Sequence, residues 1–205
     1  MKNRKRNRMQ GYDYSKNNLY FVTICVQDRK CCFGNISVGT AGTGRDLSVH
    51  VNPSISMNPS ESVNPSPPRN PFQSENPSIA ADPFISIMQL NEYGSIVQRQ
   101  WEWLASQYPY VVLHSFIVMP NHFHGILEID SSLVSDGTIK IKSLSELVGA
   151  FKTTSSKQIR LAGYKDFAWH RSFHDHIIRN DISYCKISNY IDTNALRWKG
   201  DVFHV

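Results

Sequence analysis

His122 and His124 are the residues whose type and spacing most directly suggest chemistry. They flank Phe123, follow a turn at Met119, Pro120 and Asn121, and open an apolar run that ends at Ile129. Such a run reads as a strand. Side chains two apart on a strand share a face, so the two imidazoles point the same way and Phe123 points into the opposite layer. Neutral imidazole is a common metal ligand, and one strand here would present two of them. The spacing alone is weak evidence, because two half-exposed histidines give the same pattern more often. The cysteines offer less. Cys25, Cys31, Cys32 and Cys185 contain no C-x-x-C pair and no framework spacing, and read as reduced thiols of a cytosolic protein. Cys31 and Cys32 are adjacent and would point to different sides of a strand, which makes a shared zinc site a minor alternative.

The elements that must position the pair are legible along the chain. Residues 19–27 are rich in aromatic and β-branched types and form a first strand. Residues 85–90 form a short strand whose hairpin partner is the stretch after Lys30. Ile96, Val97, Trp101 and Leu104 recur at helical spacing within 91–107, and Pro109 closes that helix. Residues 110–118 and 123–129 are two strands joined through the proline turn. Leu144, Leu147, Val148, Phe151 and Ile159 line one face of a helix over 143–161. A last short strand precedes a helix over 180–194, with Asn180 or Asp181 as N-cap. This order predicts an α+β domain with an antiparallel sheet flanked by helices.

The 205 residues suit one domain, or one domain carrying a large insertion. The formal charge is +5 and it is uneven. Residues 1–30 hold eight lysines and arginines against Asp13 and Asp28, whereas 37–84 hold two arginines against four carboxylates. A basic arm of this kind can grip phosphates. Segment 37–84 also contains eight of the ten prolines and a hexapeptide-spaced Asn-Pro-Ser repeat. It lacks the apolar content to offset ordering entropy, so it is expected to be a disordered insertion. The organisation expected is 1–36, basic arm and first strands; 37–84, insertion; 85–205, the rest of the domain. No apolar run approaches the roughly 18 residues of a membrane span, and no apolar segment follows the basic N-terminus as in a secretory signal. A cytoplasmic protein without membrane contact is the expectation.

Four stretches resemble the HUH single-tyrosine transposases, in particular the REP-associated tyrosine transposases and related small insertion-sequence transposases. They are Gly11 to Tyr14 with the strand around Thr23; Met119 to Gly125; Trp169 to His176 with Ile177 to Asp181; and Tyr190 to Asn194. They occur in the family's order, and only 37–84 lies outside the resemblance. It implies a ferredoxin-like, RRM-like HUH nuclease domain. It also implies Tyr190 as nucleophile and His122, His124 and Asn194 as ligands of Mg²⁺ or Mn²⁺. Helical spacing agrees, since positions four apart share a face. Tyr184, the rival tyrosine, lies roughly 120° away on the apolar arc and is assigned to packing. The family usually has proline after the asparagine. Ala195 stands there instead, and lets the helix run on toward Trp198.

The reaction implied is transesterification in hairpin-bearing single-stranded DNA through a 5′-phosphotyrosine. His176 is a candidate base or DNA contact. Single strands need cations and stacking rings, which Arg4, Lys5, Arg6, Arg8, Tyr12, Tyr14, Lys152 and Lys157 could supply. The resembled family contains dimers and monomers, so a homodimer is compatible with it. Two other readings fit the same residues: a domesticated hairpin-DNA binder that no longer cuts, and a metal-dependent hydrolase that uses water in place of Tyr190.

Overall fold

The computed structural model describes residues 11–40, 84–135, 137 and 139–204. Arg4, Lys5, Arg6 and Arg8 therefore lie outside the described residues, as does most of the 37–84 segment. The chain divides into two units, Met1–Gly39 with Ser86–Val205, and Thr40–Ile85. The first holds everything considered below. It is an α+β domain in which β1 (Asn18–Cys25), β4 (Val111–Met119), β5 (His122–Ile129) and β6 (His174–Ile178) form one antiparallel sheet in the order β4-β5-β1-β6. The helices are α1 (Glu92–Gln107), α2 (Leu144–Leu161) and α3 (Asp181–Asp192). β2 (Gly34–Thr40) and β3 (Phe84–Leu90) pair as a separate two-stranded ribbon. The hairpin partner of 85–90 is thus where the sequence places it. Pairing continues to Thr40 and resumes at Phe84, so these strands take in residues at both ends of the segment read as insertion.

Strand alternation gives the sheet two different faces. Tyr20, Val22, Ile24, Phe123, Leu127 and Ile129 point to one face and join the main core. There α1 and α2 pack, with Trp101 of α1 against Phe123 (ring centroids 4.6 Å apart) and Phe151 of α2 (5.4 Å). Phe21, Ile126 and Ile178 point to the other face, where Ile191 of α3 completes a much smaller cluster. His122 and His124 alternate with Phe123 and stand on this second face.

Local chemistry explains the helix boundaries. Asn91 caps α1, its side chain accepting from the Gly94 amide at 3.0 Å. Ser143 and Glu146 form a reciprocal capping box at the start of α2. Asn180 accepts from Ser183 N–H at 2.8 Å to start α3. Past Asp192 the chain does not straighten. Asn194 keeps right-handed helical dihedrals (φ −62°, ψ −41°) and leads into a 3-10 turn over Ala195–Gly200. The absence of proline after Asn194 therefore lets the helical path continue, but with tighter winding.

Gly125 shows how closely the two layers meet behind the histidine pair. A Cβ there would lie 2.8 Å from the Phe123 ring and 2.9 Å from Trp101. Both rings are fully buried and have little room to retreat. Gly125→Ala is expected to destabilise the domain by about 1–3 kcal/mol, read as a lower denaturant midpoint at unchanged slope.

Candidate active site

The sheet brings His122 and His124 to the second face through their register. His124 stands opposite Thr23 of β1 and Ile117 of β4; His122 stands opposite Cys25 and Met119. The two imidazole centroids are 4.5 Å apart, and both rings are buried. Phe21 stacks on His124 at 5.4 Å and meets Tyr190 edge-on at 6.3 Å.

Hydrogen bonding sets the tautomer of His122. The Asn121 amide nitrogen donates to the carbonyls of Arg29 (3.1 Å) and Phe203 (2.7 Å), so its oxygen is the end that faces His122 Nδ1, at 2.8 Å. An amide oxygen only accepts; Nδ1 therefore carries the proton, and Nε2 keeps a bare lone pair. That Nε2 is buried and has no hydrogen-bond partner. His124 is held by Thr23 Oγ1, 2.8 Å from Nδ1, and its Nε2 lies 3.3 Å from the Tyr190 hydroxyl. Asn194 is fully buried. Its amide nitrogen faces Asp201 Oδ2 at 3.4 Å, which leaves Oδ1 buried without a partner. Two buried acceptors, one on a strand and one past a helix, are thus left unsatisfied at a site whose groups are otherwise oriented.

Burial drives the His122 pKa down to about 4; Asp201 opposes the shift and the charge of Arg29 adds to it. His124 lies well below the ordinary histidine value, again from burial first and the neighbouring His122 second. Both rings are neutral at pH 7, the state a metal ligand requires. Tyr190 moves the other way. Burial raises its pKa and Asp201 adds to the rise, while the Asn194 side chain and Arg197 work against it. The depressed histidine values have a consequence for folding. Between the unfolded value of 6.5 and the folded value of about 4, the unfolded chain binds the extra proton, so stability falls as pH falls through that window. In metal-free buffer, the urea midpoint is expected to hold from pH 8 to about 6.5 and then decline. His122→Asn is expected to flatten part of that decline.

The residues this site needs are supplied in part by positions to which the sequence reading gave no role. Thr23 and Asn121 sit inside the motif stretches and orient the two imidazoles. Asp201 and Phe203 come from the segment after the 3-10 turn. The Phe203 ring lies tilted against His122 at 4.6 Å, Arg29 lies over Phe203 at 5.3 Å, and Arg29 Nη1 donates to the Val202 carbonyl at 2.9 Å. Arg29 and its neighbour Asp28 both adopt positive φ. No sequence signal marked the segment 201–203, because its contacts are set by tertiary packing.

Several expected DNA contacts are placed elsewhere. The Lys152 ammonium donates to the carbonyls of His170 (2.6 Å) and Arg171 (3.1 Å), and so fastens a loop. Tyr14 is buried and stacks on Tyr20, and Tyr12 packs edge-on against Tyr14 with its hydroxyl taking a hydrogen bond from Asn18. Lys157 is exposed on α2. His176 stands opposite Phe21 on the edge strand, exposed, beside a groove of about 430 Å³ lined also by Tyr14, Arg179 and Asn180. It makes no hydrogen bond to Tyr190, whose hydroxyl meets His124 instead. Among the described residues no group of three or more His, Cys, Asp or Glu is arranged to hold a metal, so a site here depends on the Asn194 amide. No helix of the described residues is long and apolar enough to cross a membrane.

No family model matches the chain. A Haemophilus influenzae protein of uncharacterised function is 26% identical over 211 residues, covering 97% of this chain and 91% of the relative. Among solved structures, the chain is similar to a REP-associated tyrosine transposase bound to a REP hairpin, with a TM-score of 0.47 and 14% identity over 93% of this chain and 73% of the other. It is also similar to a candidate transposase from Deinococcus radiodurans, with a TM-score of 0.40 and 14% identity over 91% of this chain and 95% of the other.

Proposed function

We infer that the protein is a tyrosine transposase that cleaves and rejoins hairpin-bearing single-stranded DNA. The observation that carries this reading is the pair of buried, unpartnered acceptors, His122 Nε2 and Asn194 Oδ1, beside a tyrosine whose hydroxyl meets His124 Nε2. Leaving such atoms unsatisfied costs stability, and a cation would satisfy both. His122, His124 and Asn194 fit a divalent ion by their donor set, two neutral imidazoles and an amide oxygen. Nitrogen donors favour Mn²⁺ over Mg²⁺ in affinity. When bound, such an ion would supply Lewis-acid stabilisation of the charge that develops on the phosphate.

The chain's own residues account for the rest. Tyr190 Oη attacks phosphorus as its phenol proton passes to solvent; the new O–P bond forms as the bond to the 3′-oxygen breaks, and the 3′-oxygen takes a proton from solvent and leaves as a hydroxyl. The product is a 5′-phosphotyrosine. A second 3′-OH reverses the step and joins new ends. In the residues alone the phenol is harder to ionise than an ordinary tyrosine, so the nucleophile needs a nearby positive charge. Tyr190 also hydrogen-bonds the His124 Nε2 that an ion would use, and must give up that contact for the site to load. Thr23 and Asn121 keep each imidazole turned with Nε2 toward the site.

Purified protein incubated with hairpin-bearing oligonucleotides and Mn²⁺ is expected to give an adduct that survives denaturation, and a chelator is expected to prevent it. Cleavage without any adduct would favour a water-using hydrolase. Hairpin binding with neither cleavage nor adduct would favour a non-cutting binder.

A further inference from the structure

α3 carries Tyr190 and leads into Asn194, yet it is the most lightly packed of the three helices. It buries Ile191 alone, where α1 buries six residues and α2 seven. Its apolar footing on the sheet is the small cluster of Ile126, Ile178 and Ile191, with Tyr184 and Ile187 packed at its margin. Displacement of a nucleophile by about 1 Å can cost two orders of magnitude in rate. Something other than apolar packing must hold this helix in place.

A polar connection from sheet to helix is present upstream of Tyr190. His114 Nε2 lies 2.9 Å from Glu128 Oε2, and His114 Nδ1 lies 3.2 Å from the Tyr184 hydroxyl. The ionised carboxylate only accepts, so Nε2 carries the proton and donates; Nδ1 then accepts from the Tyr184 O–H in the neutral ring. The three groups form an unbroken chain from β5 through β4 to α3. A register shift between Leu113 and Phe116 makes this possible. It leaves His114 on the face of Glu128 while Phe116 turns to the opposite core, where it stacks on Phe123. Tyr184 is half-buried at the margin of the small apolar cluster, and its hydroxyl adds a directed bond to the sheet.

We propose that Glu128, His114 and Tyr184 form a hydrogen-bonded pin that fixes α3 on the sheet and so sets the reach of Tyr190. His114 and Tyr184 are positioning residues, and Glu128 orients the imidazole. The consequence for catalysis rests on the transferase reading above; the pin itself does not. Tyr184 precedes Tyr190 by six residues, about 9 Å along the helix, so a shift at the pin is transmitted to the nucleophile.

The test uses the full chain with Tyr184→Phe and His114→Ala. Amide hydrogen exchange, measured without DNA, is expected to quicken in α3 in both variants while α1 and α2 keep wild-type protection. With hairpin oligonucleotide and Mn²⁺, the single-turnover rate of adduct formation is expected to fall about fivefold or more at unchanged hairpin affinity. Unaltered α3 exchange in both variants, or adduct formation at the wild-type rate, overturns the proposal. If the wild-type protein makes no adduct, the transferase reading fails, and the exchange measurement still decides the pin. Tyr184→Phe removes one oxygen and keeps the ring, so it guards against a folding defect in His114→Ala.

Discussion

Tyr190→Phe is expected to abolish the covalent protein–DNA adduct and reduce cleavage on the order of 10⁴- to 10⁶-fold, with hairpin binding largely intact. The substitution removes the attacking oxygen and retains the ring that meets Phe21 and His124 edge-on. The 3.3 Å contact to His124 Nε2 is lost while the ring packing is kept, so the fold should be nearly unchanged. Tyr184 cannot replace it from where it stands, because its hydroxyl is engaged by His114. Tyr184→Phe should therefore keep the adduct, at a reduced rate. An adduct that survives Tyr190→Phe would move the nucleophile elsewhere.

His122→Ala is expected to have the second largest effect. It removes one of the two ring nitrogens available to an ion. Loss of supporting contacts around a metal costs about 10- to 100-fold in affinity, and loss of a ligand should cost at least the upper figure. Calorimetric titration with Mn²⁺ in the absence of DNA reads this directly. The substitution also strands Asn121 Oδ1, which now accepts from His122, at a cost of about 1–3 kcal/mol. Thermal unfolding run beside the titration separates the two effects. Asn194→Ala tests the third ligand with less disturbance, because the amide's contact to Asp201 is a long one, at 3.4 Å. Weak Mn²⁺ binding in both variants at near-native stability supports the ligand set. Unchanged binding in either removes that residue from it.

The frame of this site was legible in the sequence because strand and helix periods are local. Alternation alone puts His122 and His124 on the face opposite Phe123, and that is where they lie. Spacing of four suggests that Asn194 follows Tyr190 on one face; α3 ends at Asp192, Thr193 departs from helical dihedrals, and Asn194 returns to them. The groups that orient the frame were not legible. Thr23 reaches His124 across 101 residues of sequence, and Asn121 reaches Phe203 across 82. Such partners are chosen by strand register and by the path of the terminal segment, neither of which leaves a local pattern. The intramolecular contacts of Lys152, Tyr12 and Tyr14 were hidden for a related reason. Residue type suggested phosphate and base recognition, but Lys152 faces loop carbonyls and the two tyrosines pack against the main core. The bulge that aims His114 at Tyr184 was equally hidden, since a one-residue register shift does not disturb the apolar run around it.

The most direct test of the central claim is chemical mapping of the adduct. Protein is reacted with a hairpin-bearing oligonucleotide and Mn²⁺, digested with protease and nuclease, and the modified peptide is sequenced by mass spectrometry. The account predicts a nucleotide joined through its 5′-phosphate to Tyr190. Attachment to Tyr184 or any other residue, or cleaved DNA with no modified peptide, would contradict it.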